Sequence, residues 1–364
     1  MHRKNIADPG SAQSTQRPVS DFVGGDVRLC CLAPGTPPVH VMSPPISAWL
    51  GGVVCAVYVG GRVPHWQHES WAYAWLLFAA LVLMPLALPL FEEKSEGSPA
   101  APGSGPLSLA RRLHLPAALA LAVACWLPPS PLAAAAALPW VAWTGLLAVI
   151  GASRLKNDGL RRPLDGMCAD AALIFSAVGG AWTLADRLAY LPLRFEPAIV
   201  ALIAVHFHYA GVLLSLFAGL VQRELWFWRF AARVAVGVVL GVPAVAAGIT
   251  ATQLHWGTSL ETAAGVGLAL VGMAVGILHV RIALEAKRDG VTRALLAMAG
   301  ASLFFGMLLA ALYALRATAT FTPWLGLPQM RMLHGTVNAF GFGLGGTLAW
   351  RRMAKGGAAP QPST

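Results

Sequence analysis

Residues 197–221 read PAIVALIAVHFHYAGVLLSLFAGLV. The stretch holds no Lys, Arg, Asp or Glu, and it exceeds the roughly 20 apolar residues that a helix needs to cross a hydrocarbon core of about 30 Å. It belongs to a chain of 364 residues that is 57% apolar and only 12% charged. A soluble globular domain does not carry that balance. The segment is therefore read as a transmembrane helix, and the chain as a polytopic membrane protein.

Nine further runs meet or approach the same length: residues 46–61, 71–91, 113–128, 131–152, 167–186, 234–252, 262–280, 294–315 and 332–350. Two of them, 46–61 and 113–128, are short, and Trp49 and Trp126 sit where an interfacial aromatic would extend them. The expected fold class is all-α: a polytopic transmembrane helical bundle of about ten spans. Residues 1–45 are rich in Gly, Pro, Ser and Gln without sustained periodicity, and read as a disordered N-terminal tail. The first long apolar run begins only near Ile46, too late for a secretory signal, and Met42 offers an alternative native start to Met1. Residues 46–350 form the expected transmembrane helical domain, and 351–364 a disordered C-terminal tail. Between the second and third spans, residues 92–112 (EEKSEGSPAAPGSGPLSLARR) read as a flexible linker.

The formal net charge is +10, from 26 Lys and Arg against 16 Asp and Glu. These basic residues fall between apolar runs instead of forming one patch, which argues against nucleic acid as a partner. They report orientation instead. With the N-terminal tail placed in the cytoplasm, every Lys and Arg except Arg62, Arg187, Arg194, Arg316 and Arg331 falls in a tail or a cytoplasmic loop. That bias predicts ten spans in the cell inner (cytoplasmic) membrane, with the N-terminus and C-terminus both cytoplasmic. The five cysteines, Cys30, Cys31, Cys55, Cys125 and Cys168, show neither a CxxC nor a Cys/His spacing, so no disulfide framework or zinc finger is legible. No Walker A loop, GxSxG elbow or HExxH occurs.

Polar groups inside hydrocarbon are costly and by default mark function. Two spans carry them: the sixth holds His206, His208 and Tyr209, and the tenth, MLHGTVNAFGFGLGGTLAW at 332–350, holds His334 and Asn338. His206 precedes Arg223 by as many residues as His334 precedes Arg351, so both histidines lie roughly 25 Å above a cytoplasmic anchor, in the outer part of the bilayer. On a regular helix His206 and Tyr209 share a face while His208 points elsewhere. His334, Asn338, Gly341 and Gly345 form a stripe, polar then small, and Gly341 and Gly345, with Gly211 in the sixth span, are candidates for close helix packing. In the functional reading, His206, His208, Tyr209, His334 and Asn338 bind substrate or proton. Neutral imidazole is also a common metal ligand, which makes His206 and His334 the candidate metal ligands, although spacing alone supplies no closed ligand set. In the alternative reading these side chains only hydrogen-bond between helices. No cofactor follows from the residues. His65, His68 and His255 fall on the same outer side. Asp165, Asp186 and Arg187 read as boundary charges, and Asp170 is placed to reach into the bundle.

The run AIVALIAVHFHYAGV, with GGAW at 179–182 before it, and the run RMLHGTVNAFGFGLGGTLAW resemble the YndJ-like family of bacterial membrane proteins. His206, Phe207, His208, Tyr209, Ala210 and Gly211 carry the resemblance, together with His334, Gly335, Asn338, Gly341 and Phe342. It implies a polytopic integral membrane protein of a kind sometimes labelled a transporter, with no established substrate, and it implies candidate residues without a reaction. Some relatives continue beyond the membrane part. The expected function is transport, with a polar His/Tyr/Asn site in the outer half of the sixth and tenth spans. A haem- or metal-binding membrane redox protein and a membrane assembly factor are the alternatives. The expected partners are the lipid bilayer and a small solute or ion.

Overall fold

Prolines mark where several helices start. Pro has no amide hydrogen and a fixed φ, so it suits the first turn of a helix, where that hydrogen has no partner. Pro106, Pro131 and Pro197 each stand at such a start. The computed structural model describes residues 45–63, 68–92, 106–159, 162–285, 288–317 and 323–356. These form helical rods that we label α1 (Ile46–Arg62), α2 (68–91), α3 (Pro106–Trp126), α4 (Pro131–Asp158), α5 (Leu164–Arg187), α6 (Pro197–Glu224), α7 (Arg229–Gln253), α8 (Ser259–Ala283), α9 (Gly290–Ala314) and α10 (327–356). No strand occurs among the described residues, and the chain is an all-α helical bundle. By length and composition eight helices, α2 to α9, are able to cross a membrane. α1 is apolar but has only 17 residues, and α10 is interrupted by glycines and polar side chains.

Two boundaries differ from expectation. α3 begins at Pro106, so Arg111 and Arg112 lie inside a helix and not in a linker, and Arg111 pairs with Glu92 at the end of α2. α10 runs on past 350 to Gly356, and the buried Arg351 donates to Leu86 O of α2 at 2.9 Å. The expectations for residues 1–44 (with Cys30, Cys31 and Met42), for His65, for the His68 side chain, for 93–105 and for 357–364 lie outside the described residues.

Burial sets the layout. The apolar windows of α2 and α6 are 89% and 72% buried, whereas those of the other six crossing helices are 33% to 44% buried. α2 and α6 are thus the central rods. Around them α4 packs on α5, α8 on α9, and α9 along α10.

Both central rods and α10 contain π-helical turns, at Ala79–Leu83, Phe207–Leu214, Met330–His334 and Val337–Gly345. A π-turn adds a residue and displaces carbonyls from their usual partners, which in a membrane must be satisfied within the protein. In α2 the cause is Pro85, which cannot donate to Leu81 O. That carbonyl faces Gly51 of α1, where any Cβ would collide with it. Side chains take up other carbonyls: His114 Nε2 donates to Ala80 O at 2.8 Å, Asn338 Nδ2 to His334 O at 2.9 Å, and Thr347 Oγ1 to Gly343 O at 2.6 Å.

The charges at the two ends of α5 are buried. Asp170 is fully buried, with Arg162 Nε 2.5 Å from its Oδ2 and Arg154 Nη1 3.7 Å from its Oδ1. Asp186 and Arg187, read from sequence as boundary charges, are also inside: Arg187 is 1% exposed. Its guanidinium pairs with Asp186 at 2.6 Å, bonds the Tyr73 hydroxyl, and donates to Ala124 O and Leu127 O at 3.2 Å each. The sequence position suggested an interface, but carbonyls at the end of α3 and the Tyr73 hydroxyl of α2 supply the acceptors that let the pair be buried.

Outside the spans, Asp289 caps α9. Its carboxylate accepts from the Thr292 hydroxyl at 2.5 Å and the Thr292 amide at 3.1 Å, and Arg352 lies 3.1 Å away. The Thr292 bonds, aided by Arg352, hold the carboxyl at about 2, below its ordinary 3.8. A depressed carboxylate stabilises the fold above its ordinary range, and that contribution is lost as pH falls through about 2. Asp289→Ala is expected to lower stability by about 1 kcal/mol at neutral pH. In thermal melts the gap between wild type and variant should narrow from pH 4 toward pH 2.

Candidate functional site

α6 and α10 approach through their π-helical segments 207–214 and 337–345. In the N-terminal halves of these helices, which begin at Pro197 and residue 327, His206 and His334 are neighbours. Their ring centroids are 6.3 Å apart and their planes are inclined by 25°. His206 Nδ1 lies 2.7 Å from Leu202 O, and His334 Nδ1 lies 2.8 Å from Gly306 O of α9. A carbonyl only accepts, so each Nδ1 carries the ring proton and each Nε2 presents a lone pair. His206 is exposed on the surface of its helix and His334 is half-buried.

Asn338 lies one turn further along α10 and is 8% exposed. Its Nδ2 donates to His334 O, while its Oδ1 is buried and has no hydrogen-bond partner among the described residues. Tyr209 is set apart from the imidazoles. The π-turn that starts at Phe207 changes its direction from that of a regular helix, and its hydroxyl donates to Trp75 O of α2 at 3.1 Å. Trp75 ties the junction together, because its indole Nε1 donates to Arg331 O of α10 at 3.4 Å and lies against Gly335.

The α9–α10 contact is an antiparallel ladder of small residues. Gly306 faces Asn338, Ser302 faces Gly341, and Met298 faces Gly345. A Cβ on Gly341 would collide with the Ser302 side chain, and one on Gly345 would come within 2.6 Å of Met298 Cε. Gly211 plays a similar part on α6, where a Cβ would stand 3.0 Å from Phe175 Cβ.

His208 lies elsewhere and has no free ring nitrogen. Its Nδ1 donates to Ala204 O at 2.8 Å, and its Nε2 accepts from Trp140 Nε1 at 3.3 Å. The same device recurs at His279, whose Nδ1 donates to Val275 O at 2.9 Å while Trp350 Nε1 donates to its Nε2 at 3.1 Å. Both are buried, neutral and fully satisfied. They contrast with His206 and His334, in which one nitrogen of each ring remains available.

Of the residues singled out from sequence, the structure brings His206 and His334 together, with Asn338 adjacent. It takes His208 away, turns Tyr209 to the α2 backbone, and leaves His255 exposed with a left-handed φ of 62°. Trp75 and Gly306 went unrecognised. Nothing in an apolar run marks a Trp as a junction, and a lone Gly in SLFFGML signals at most a close approach. Among the described residues no group of three or more His, Cys, Asp or Glu converges as a metal cage.

A family model described as YndJ-like protein matches residues 74–342, which include both histidines of the pair. The chain is also similar to the "Uncharacterized membrane protein YndJ" of Bacillus subtilis (strain 168), with 30% identity over 220 residues, covering 59% of this chain and 38% of that relative. The chain thus aligns with well under half of the relative's length. No solved structure matches it. With most of its length inside the family model, this chain is a multi-pass membrane protein that belongs to the YndJ-like family.

Proposed function

We propose that the chain is a ten-crossing inner-membrane transporter for a small cation, and that His206 and His334 form its binding pair in the outer half of the bundle. The excess of Lys and Arg in alternate loops supports the orientation, with both termini cytoplasmic. One observation carries the choice of solute. The Nδ1 hydrogens of His206 and His334 are committed to backbone carbonyls, at Leu202 O and Gly306 O, so each imidazole offers its Nε2 lone pair, and the Asn338 Oδ1 is a further acceptor beside them. Such acceptors suit a proton, a metal ion or another donor. The π-turns beside the pair belong to a kind of distortion frequent at functional sites. The glycine ladder lets α10 slide against α9 at little steric cost.

The test uses the full chain in proteoliposomes with trapped fluorescent indicators for protons and metal cations. Wild type is expected to admit a cation under an imposed potential. His206→Asn and His334→Asn are expected to reduce the flux to that of protein-free vesicles, because Asn keeps a donor for the backbone carbonyl and removes the Nε2 acceptor. No wild-type flux, or equal flux in wild type and both variants, would refute the reading. Variants that changed thermal stability alone would leave the histidines a packing role.

A further inference from the structure

We infer that the His206–His334 pair holds one monovalent copper-type ion through its two Nε2 atoms; this rests on the pair being a cation site, as proposed above. Metal–imidazole bonds are about 2.0–2.1 Å long. With both Nε2 edges turned to the ion, two such bonds plus the half-width of each ring would span a centroid separation like the 6.3 Å observed. The rings come pre-set, because each Nδ1–H is already anchored on a carbonyl, which fixes the tautomer that leaves Nε2 free to ligate.

The ligand set selects the ion. Hard cations such as magnesium, calcium and manganese want carboxylate and carbonyl oxygens, whereas imidazole suits copper, zinc, iron and nickel. A structural zinc site is closed by four protein ligands, and among the described residues no third His, Cys, Asp or Glu joins the pair. Two neutral nitrogens are enough for a low-coordinate monovalent ion. The unpartnered Oδ1 of Asn338, one turn below His334, is a second acceptor-only feature of the same junction.

The experiment is metal binding to the purified full chain in detergent after chelator stripping. Cu(I) is titrated by competition with a chromogenic chelator under reducing conditions, with Ag(I) as a redox-inert probe and Zn(II) in parallel. One Cu(I) or Ag(I) per chain is expected in wild type and in the control His255→Ala, and loss of that ion in His206→Asn and His334→Asn. Gel filtration and circular dichroism establish that the variants are folded. Absence of stoichiometric Cu(I) binding, equal binding in the variants, tighter binding of Zn(II), or a Soret band showing that the two imidazoles hold haem iron would each overturn the inference. The two readings separate cleanly. Histidine-dependent proton flux without copper binding keeps the transporter and removes the copper ion. Copper binding without flux does the reverse.

Discussion

Asp170→Ala is expected to destabilise the bundle by about 3–5 kcal/mol, the cost typical of breaking a buried ion pair by removing one partner. The Asp170 side chain is 0% exposed and that of Arg162 only 3%, so water does not replace the lost carboxylate. Arg154 has a fallback in Phe91 O at 3.1 Å, and Arg162 in Asp158 Oδ2 at 2.6 Å, but neither restores the central negative charge. The double variant Asp170→Leu with Arg162→Met should recover much of the loss, since apolar replacement of a whole buried pair is often nearly neutral. Unfolding in mixed micelles by SDS titration measures both, and the cycle with the single variants gives the coupling. A single Asp170→Ala loss below about 1 kcal/mol would show that the cluster is hydrated, since exposed pairs contribute no more than that.

The second large effect is at Gly306. A Cβ there would run into the Asn338 amide, 2.9 Å from both Cγ and Oδ1. Gly306 also supplies the carbonyl that anchors the His334 ring. Gly306→Ala therefore forces α9 and α10 apart and releases His334 at the same time. We expect a stability loss of about 1–3 kcal/mol from overpacking, accompanied by loss of cation flux and of copper binding. Gly267→Ala in α8 is the matched control, because nothing lies within 4 Å of a Cβ at that position. It should show no loss, as Ala is the better helix former. Gly306→Ala behaving like Gly267→Ala would mean that α10 yields freely and that the anchoring of His334 is dispensable.

Most of the architecture was legible because a bilayer makes length and hydropathy decisive. Each expected apolar run corresponds to a helix, and errors occur where that signal is weak. The linker at 92–112 was read from its Gly, Pro and Ser content, yet helix α3 starts at Pro106, since a proline that looks like a breaker also suits a first turn. Asp186 and Arg187 were assigned to an interface by position. Their burial depends on carbonyls at the end of α3 and on the Tyr73 hydroxyl of α2, which no local pattern reveals.

At the site, pattern reading went as far as residue type and the level of the two histidines relative to each other. Polar side chains are rare enough in hydrocarbon that His206, His334 and Asn338 stood out, and equal distance from a basic anchor placed both histidines at one level. Direction was beyond reach. The spacing of His206 and Tyr209 assumes a regular helix, and the π-turn at Phe207–Leu214 breaks that assumption.

Solvent exclusion along a single chain segment decides that these residues form membrane helices, and it acts on composition alone; the order and identity of the amino acids were sufficient for that. Which ring nitrogen is free is a different kind of question. His206, His208 and His279 all give their Nδ1 hydrogen to a carbonyl one turn back, so the segment around each is alike. What separates them is whether a tryptophan from a distant helix reaches the other nitrogen, as Trp140 and Trp350 do for His208 and His279. That depends on helix crossing and on the π-turns, and so only three-dimensional packing turns one histidine into a pillar and leaves another open to a ligand.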